Sequence, residues 1–188
     1  MAPFRPAFQR LAEASFAWGA ALVVGSVALI AWSAQFSLPV QPVPVTLQSY
    51  VLLTLAALLG WRLGALVAVA YVGLGAAGLP VFANHASGLA ALSGPSAGFL
   101  FGFVVAMIAV GAAQQYWARL RPLPLFAAIA FGHLALLLAG AGWMAMGRGL
   151  AFALDKGFLP FLPGAVVKSV AALATVILVE RLAGTPRR

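Results

Sequence analysis

Lys168 is the residue of this chain with the most to explain. It falls about nine residues into the last apolar run, roughly 12–14 Å along a helix, where an ammonium group is expensive to hold. Such a group requires an anionic partner, a water-filled cavity or a neutral form. One reading has it snorkel to the interface or bond a backbone carbonyl. The other has it face inward and bind an anion. The sequence contains three acids, Glu13, Asp155 and Glu180; Glu13 and Glu180 sit at segment ends and Asp155 in a loop, so none is placed to pair with it. A ligand carboxylate would fill that vacancy.

The remaining polar candidates are few. Asn84 and His85 stand together in segment 79–95, among glycine and apolar residues, as in a loop that folds back into a cavity. Asn84 carries two donors and an acceptor, suited to an amide or urea-like group, or else it satisfies backbone nearby. His133, mid-way along the fifth run, reads as an interhelical hydrogen-bonding group. Two separated histidines without carboxylate neighbours do not make a metal site, and the absence of cysteine removes thiol catalysis, disulfides and thiolate metal sites. Hydrolysis or group transfer within a membrane needs a nucleophile with a base, paired carboxylates or metal ligands at that depth. The sequence supplies none of these, so the expectation is a protein that is not an enzyme and carries no cofactor.

The elements that must position these residues are hydrophobic helices. Of the 188 residues, 64% are hydrophobic and only 7% charged, a composition that belongs in a bilayer. The formal charge of +8 comes from eleven basic residues scattered in ones and twos, without the contiguous basic face of a nucleic-acid binder. Apolar runs lie at about 14–35, 46–60, 63–79, 96–117, 123–143 and 159–181, separated by proline, glycine and charge. The first is too long for a signal-peptide core and lacks a small-residue cleavage pattern, so it is expected to stay as a helix. The second and third touch through Gly60-Trp61-Arg62-Leu63-Gly64; a tight hairpin is expected there, because one helix would be near 50 Å long against a bilayer core of about 30 Å. The expected fold is a single all-α transmembrane domain over 1–188 with six helices.

Six crossings put both termini on one side. Arg5, Arg10, Arg62, Arg119, Arg121, Arg181, Arg187 and Arg188 fall there, against Arg148 and Lys156 opposite, so the arginine-rich side is expected to be cytoplasmic and the protein to reside in the cell membrane. Loops 36–45, 80–95 and 144–158 are then outside, and a pocket would open outward. Ala17, Ala21 and Gly25, Gly60 and Gly64, and Gly94, Gly98 and Gly102 have the spacing that lets helix backbones approach, within the chain or toward another subunit.

The loop after the first run, Ser37-Leu-Pro-Val-Gln-Pro-Val-Pro-Val-Thr-Leu-Gln48, holds three prolines that enforce an extended path. From here the sequence resembles a known family. Pro42-Val-Pro-Val-Thr-Leu-Gln48, Gly78-Leu-Pro-Val-Phe-Ala83, Gly94-Pro-Ser-Ala-Gly-Phe-Leu-Phe-Gly-Phe103 and Leu159-Pro-Phe-Leu-Pro-Gly164 with Lys168 follow the ordered landmarks of the BioY family. Its members are biotin-specific substrate-binding S components of energy-coupling factor transporters. The resemblance implies a six-helix S component that captures biotin from outside and works with a transmembrane coupling subunit and two cytoplasmic ATPases. It has no nucleotide site of its own, in keeping with the lack of a phosphate-binding Gly-Lys-Ser/Thr loop.

The family pattern at the last helix is Pro-Gly-Asp-x-x-Lys, whose acid and lysine help to bind ligand. Lys168 matches the lysine, and Ala165 stands where aspartate is usual. Removing a charged partner from a buried contact costs about 1.5–3 kcal/mol, so three readings stay open: biotin bound through other acceptors such as Asn84 or Gln48, weakened binding, or a different ligand. An autonomous small-solute permease is the alternative class. The substrate-binding set expected from residues and resemblance together is Lys168, Asn84, Gln48 and Phe82, the last against the aliphatic part of the ligand. An Ala-x-x-x-Ala motif, matched by Ala17 and Ala21, implies the face that meets the coupling subunit.

Overall fold

In hydrocarbon no water is present to pair with backbone N–H and C=O groups, so an apolar chain must satisfy them within its own segments. Helices result along nearly the whole of this protein. The computed structural model describes residues 3–38 and 42–185; Arg187, Arg188 and residues 39–41 of the proline-rich loop lie outside them. A short amphipathic helix α1 (Ala7–Ala14) ends at Ser15, whose extended backbone turns the chain and whose hydroxyl caps α2 (Phe16–Ala34) by accepting from Trp18 N. Two residue pairs, Ser37 with Thr46 and Leu38 with Val45, join an antiparallel ribbon of β1 (Ser37–Leu38) and β2 (Val45–Thr46). After it come α3 (Gln48–Ala76), a 3-10 turn at Ala83–His85, α4 (Gly88–Ser93), α5 (Ala97–Ala113) with a π turn at Gln114–Ala118, and α6 (Pro122–Arg148). The chain finishes with α7 (Leu150–Ala153), a π turn, a 3-10 turn and α8 (Leu162–Leu182).

Among the described residues five helical stretches are long and apolar enough to cross a membrane: Phe16–Ala34, Gln48–Ala76, Ala97–Ala118, Pro122–Arg148 and Leu150–Leu182. The expected count was six. The difference lies in α3, a continuous stretch of 29 residues in which Gly60 has φ +74° and ψ 173°, far from helical values. Gln48 Nε2 donates to Tyr71 Oη at 2.7 Å, although 23 residues of straight helix would hold them about 35 Å apart. Segments 48–59 and 61–76 therefore fold back on each other at Gly60, at the start of the stretch 60–64 where a tight hairpin is expected. The freed amide of Trp61 is recaptured by Gln115 Oε1 at 3.2 Å. A Cβ on Gly60 would stand 2.8 Å from the Gln115 side chain, and one on Gly111 of α5 would stand 2.6 Å from Trp61 N.

Every residue from Val51 to Gly60 is buried, so arm 48–59 runs through the middle of the bundle, with α2, α5, α6 and α8 around it. Elsewhere burial is one-sided: α8 turns Ser169, Ala172, Val176 and Glu180 inward at helical spacing and leaves Val166, Val167, Val170 and Leu178 exposed. Exposed Trp18, Tyr116 and Trp117 flank one end of the bundle and Trp32 and Phe36 the other, the placement of interfacial aromatic belts. Gly64, Gly98 and Gly102 press against Met107, Ala139 and neighbouring atoms within the chain, whereas Gly25 faces open space.

At the arginine-rich end, Glu180 sits at the close of α8, as expected, yet it is only 1% exposed. It accepts from Ala7 N at 2.8 Å and from Thr185 Oγ1 at 2.6 Å, with Arg10 at 3.9 Å. A carboxylate at the first turn of α1 suits the helix dipole. Phe4 N and Gln9 also bond to Gln115, which ties the amino-terminal segment to the turn after α5. A correction concerns 144–158, expected as a loop. α6 runs to Arg148 and the rest is helical or π-turn, so the charges that looked like punctuation sit on helix ends.

Gly60 and Gly73 separate conformational need from helix propensity. Gly60→Ala combines a positive φ with a steric overlap and is expected to destabilise the protein by about 1–3 kcal/mol. Gly73→Ala, with nothing within 4 Å of the new methyl, should be neutral or stabilising by up to about 1 kcal/mol. Thermal unfolding in detergent measures both; equal effects would contradict the account of the break.

Candidate functional site

At the end opposite the arginines the helices diverge around a cavity of about 430 Å³, within the range that small-molecule sites occupy. The ribbon and the start of α3 form one wall, loop 80–95 with α4 a second, α5 and α6 a third, and the start of α8 the last. Lys168, Asn84, Gln48 and Phe82 all line it, as do Ala165 and His133. His85 does not; it is exposed, and its backbone amide donates to Gln35 Oε1.

Lys168 is half-buried, and its Nζ donates to the Thr46 carbonyl at 2.5 Å and to Ser49 Oγ at 3.3 Å. The ammonium thus bonds a backbone carbonyl, as one reading had it, and also lines the cavity, the position that the other reading requires. Among the described residues no carboxylate pairs with it. Asp155 is exposed and pairs with Lys156 at 3.0 Å, and Glu180 lies twelve residues on, about 18 Å along α8. The cavity is therefore an apolar enclosure with one cationic group whose present partners are neutral.

Gln48 belongs to a chain of hydrogen bonds that fixes its orientation. Tyr71 Oη donates its single proton to the Val81 carbonyl at 2.9 Å, so it must accept from Gln48 Nε2. Gln48 Oε1 has no hydrogen-bond partner among the described residues, and Gln48 lines the cavity. Tyr71 itself, fully buried, was missed in the sequence; a tyrosine inside an apolar run was the available signal, since a buried phenol requires a partner.

Phe82 is nearly buried. Its ring lies in a notch over Gly75, where a Cβ would come within 2.0 Å of Cζ, and edge-on to Tyr71 with centroids 5.5 Å apart. Phe99 is held in the same manner by Gly140 and faces Phe161 at 5.7 Å, making an aromatic wall that sequence reasoning had not identified. Asn84 and His85 both have left-handed backbones, which asparagine tolerates better than most residues. Asn84 Oδ1 accepts from Ser37 Oγ at 3.1 Å, its amide N–H groups have no partner among the described residues, and Gln35 Nε2 donates to the Phe82 carbonyl at 3.1 Å. Loop 80–95 is thereby fastened to the segment after α2. Ala17 and Ala21 are exposed on α2, remote from the cavity.

A family model described as the BioY family matches residues 9–185. A probable biotin transporter BioY of Pyrococcus horikoshii is 36% identical over 163 residues, covering 87% of this chain and 94% of that protein. The biotin transporter BioY of Thermotoga maritima is 46% identical over 84 residues, 45% of this chain and 50% of that one. A crystal structure of the S-component for biotin from an ECF-type ABC transporter superposes with a TM-score of 0.74 at 22% identity, covering 87% of this chain and 90% of the other.

Tyr71→Phe removes the one group that both orients Gln48 and pairs Val81. The expected loss is about 1–3 kcal/mol of stability, read from thermal unfolding, with the Phe82 and Phe103 ring contacts kept. A variant as stable as the parent would show that the Gln48–Tyr71–Val81 chain does not hold this wall.

Proposed function

The chain belongs to the BioY family, and from that premise we propose that it is the substrate-capture component of a biotin uptake system in the cell membrane. The observation that carries this reading is Lys168, an ammonium lining an apolar cavity with no carboxylate partner among the described residues. Biotin has the complementary chemistry: a carboxylate for Lys168, an aliphatic chain and fused ring for the aromatic walls, and a cyclic urea for amide groups. In this reading the carboxylate displaces the Thr46 and Ser49 contacts of Lys168, Gln48 Oε1 accepts a urea N–H, and Asn84 donates to the ligand from loop 80–95. Ala165 contributes only a methyl group.

The topology that suits this role counts 48–59 and 61–76 as two arms of a hairpin, which gives six crossings and both termini on the same side. Arg5, Arg10, Arg62, Arg119, Arg121 and Arg181 gather at the end away from the cavity, and the positive-inside rule makes that end cytoplasmic. The cavity then faces outward. Because no phosphate-binding loop is present, energy must come from a partner. Ala17 and Ala21, small and exposed on α2, give a transmembrane coupling subunit that carries two ATPases a surface for close approach.

Equilibrium binding of labelled biotin to the purified protein tests the ligand. Wild type is expected to bind, Lys168→Ala to weaken binding by roughly 10- to 150-fold, and biotin methyl ester to lose affinity for wild type but little more for the variant. Absence of biotin binding to wild type would end this reading. For the partner, Ala17→Leu with Ala21→Leu is expected to leave binding intact while stopping ATP-dependent uptake in cells that supply a coupling module. Unimpaired uptake would move the docking face elsewhere.

A further inference from the structure

One polar group on the cavity wall has no role in the reading above. His133, in the middle of α6, is 4% exposed and lines the cavity. Its Nδ1 lies 2.9 Å from Ser169 Oγ on α8. That hydroxyl carries one proton, which it donates to the Ala165 carbonyl at 2.8 Å; it therefore receives from His133, and the imidazole proton is on Nδ1. In the neutral ring Nε2 is then a bare acceptor, and it is buried with no partner among the described residues. Buried polar atoms are nearly always paired, so a lone one at a ligand cavity calls for an explanation.

We propose that His133 Nε2 accepts a hydrogen bond from one N–H of the cyclic urea of the ligand, an inference that rests on the biotin reading and adds a specificity-determining residue to it. The two N–H bonds of a cyclic urea diverge, and acceptors on different walls suit them: Gln48 Oε1 from α3 and His133 Nε2 from α6. On α6 the other residues that line the cavity, Leu136 and Leu137, are apolar. Ser169 is a positioning residue. By accepting from Nδ1 it keeps the lone pair on Nε2, and by bonding the Ala165 carbonyl it keeps its own proton away from the ring.

The test measures biotin, and biotin methylated on either urea nitrogen, against wild type, His133→Leu, His133→Gln and His133→Leu with Ala165→Asp. His133→Leu is expected to bind biotin about ten- to a hundredfold more weakly. Methylation at one particular nitrogen should cost wild type a similar factor and cost His133→Leu almost nothing further. His133→Gln, which places an amide oxygen near the Nε2 position, should retain most of the affinity. The double variant should regain it through a carboxylate one turn from Ser169. Equal binding of biotin by wild type and His133→Leu, or equal penalties from both methylated ligands in both proteins, would overturn the role of His133 and leave biotin capture standing. Wild type that binds no biotin removes both.

Discussion

A backbone that reverses inside an apolar bundle exposes N–H and C=O groups that neither lipid nor apolar side chains can satisfy, and the rest of this structure depends on how Gly60 solves that problem. A residue with a side chain is strained at φ +74° and would collide with Gln115. Gln115 in turn takes the orphaned Trp61 amide, and its own backbone carbonyl and amide group hold Phe4 and Gln9. With the reversal so sealed, arm 48–59 becomes the axis of the bundle, and its far end delivers Gln48 and Ser49 to the cavity.

The polar groups of that cavity are organised by a shortage of anions. Lys168 bonds a carbonyl and a hydroxyl, Gln48 is turned by Tyr71, and His133 is turned by Ser169. Each arrangement uses the neutral partners at hand and leaves one atom facing inward with its capacity unused: an ammonium, an amide oxygen and an imidazole nitrogen. Glycines at 75 and 140 serve the same site from behind, since each admits a phenylalanine ring to a depth that any Cβ would forbid.

Much of this was legible in the residues. Membrane class followed from hydropathy, the reversal at Gly60 from helix length against bilayer thickness, and the Lys168 anomaly from the cost of a charge at depth. Lys168, Asn84, Gln48 and Phe82 were chosen singly, and the structure gathers all four at one cavity. What escaped has physical reasons. Helices that are apolar on every side carry little periodic signal, so nothing told which way His133 and Tyr71 point. The eight-residue amphipathic α1 lies ahead of the first apolar run and was not anticipated, because it is held by Glu180 and Gln115 far along the chain. Arg148, Asp155 and Lys156 read as loop, yet a helix leaving hydrocarbon loses no hydrogen bonds by continuing into the interface.

The buried arm also divides the molecule into an accessible half and a closed half. Leu52, Leu53, Ala56 and Ala57 have no exposed surface, and immediately beyond them Gly60 is clamped between Gln115 and Gly111. A solute held at Gln48 meets a close-packed column rather than a channel, and this column is also the element that fixes the shape of the bundle. Opening a passage along it would mean dismantling the core, at a cost comparable to the stability of the whole domain. A cavity backed in this way has the form of a cup and not of a conduit, with the core of the fold as its floor.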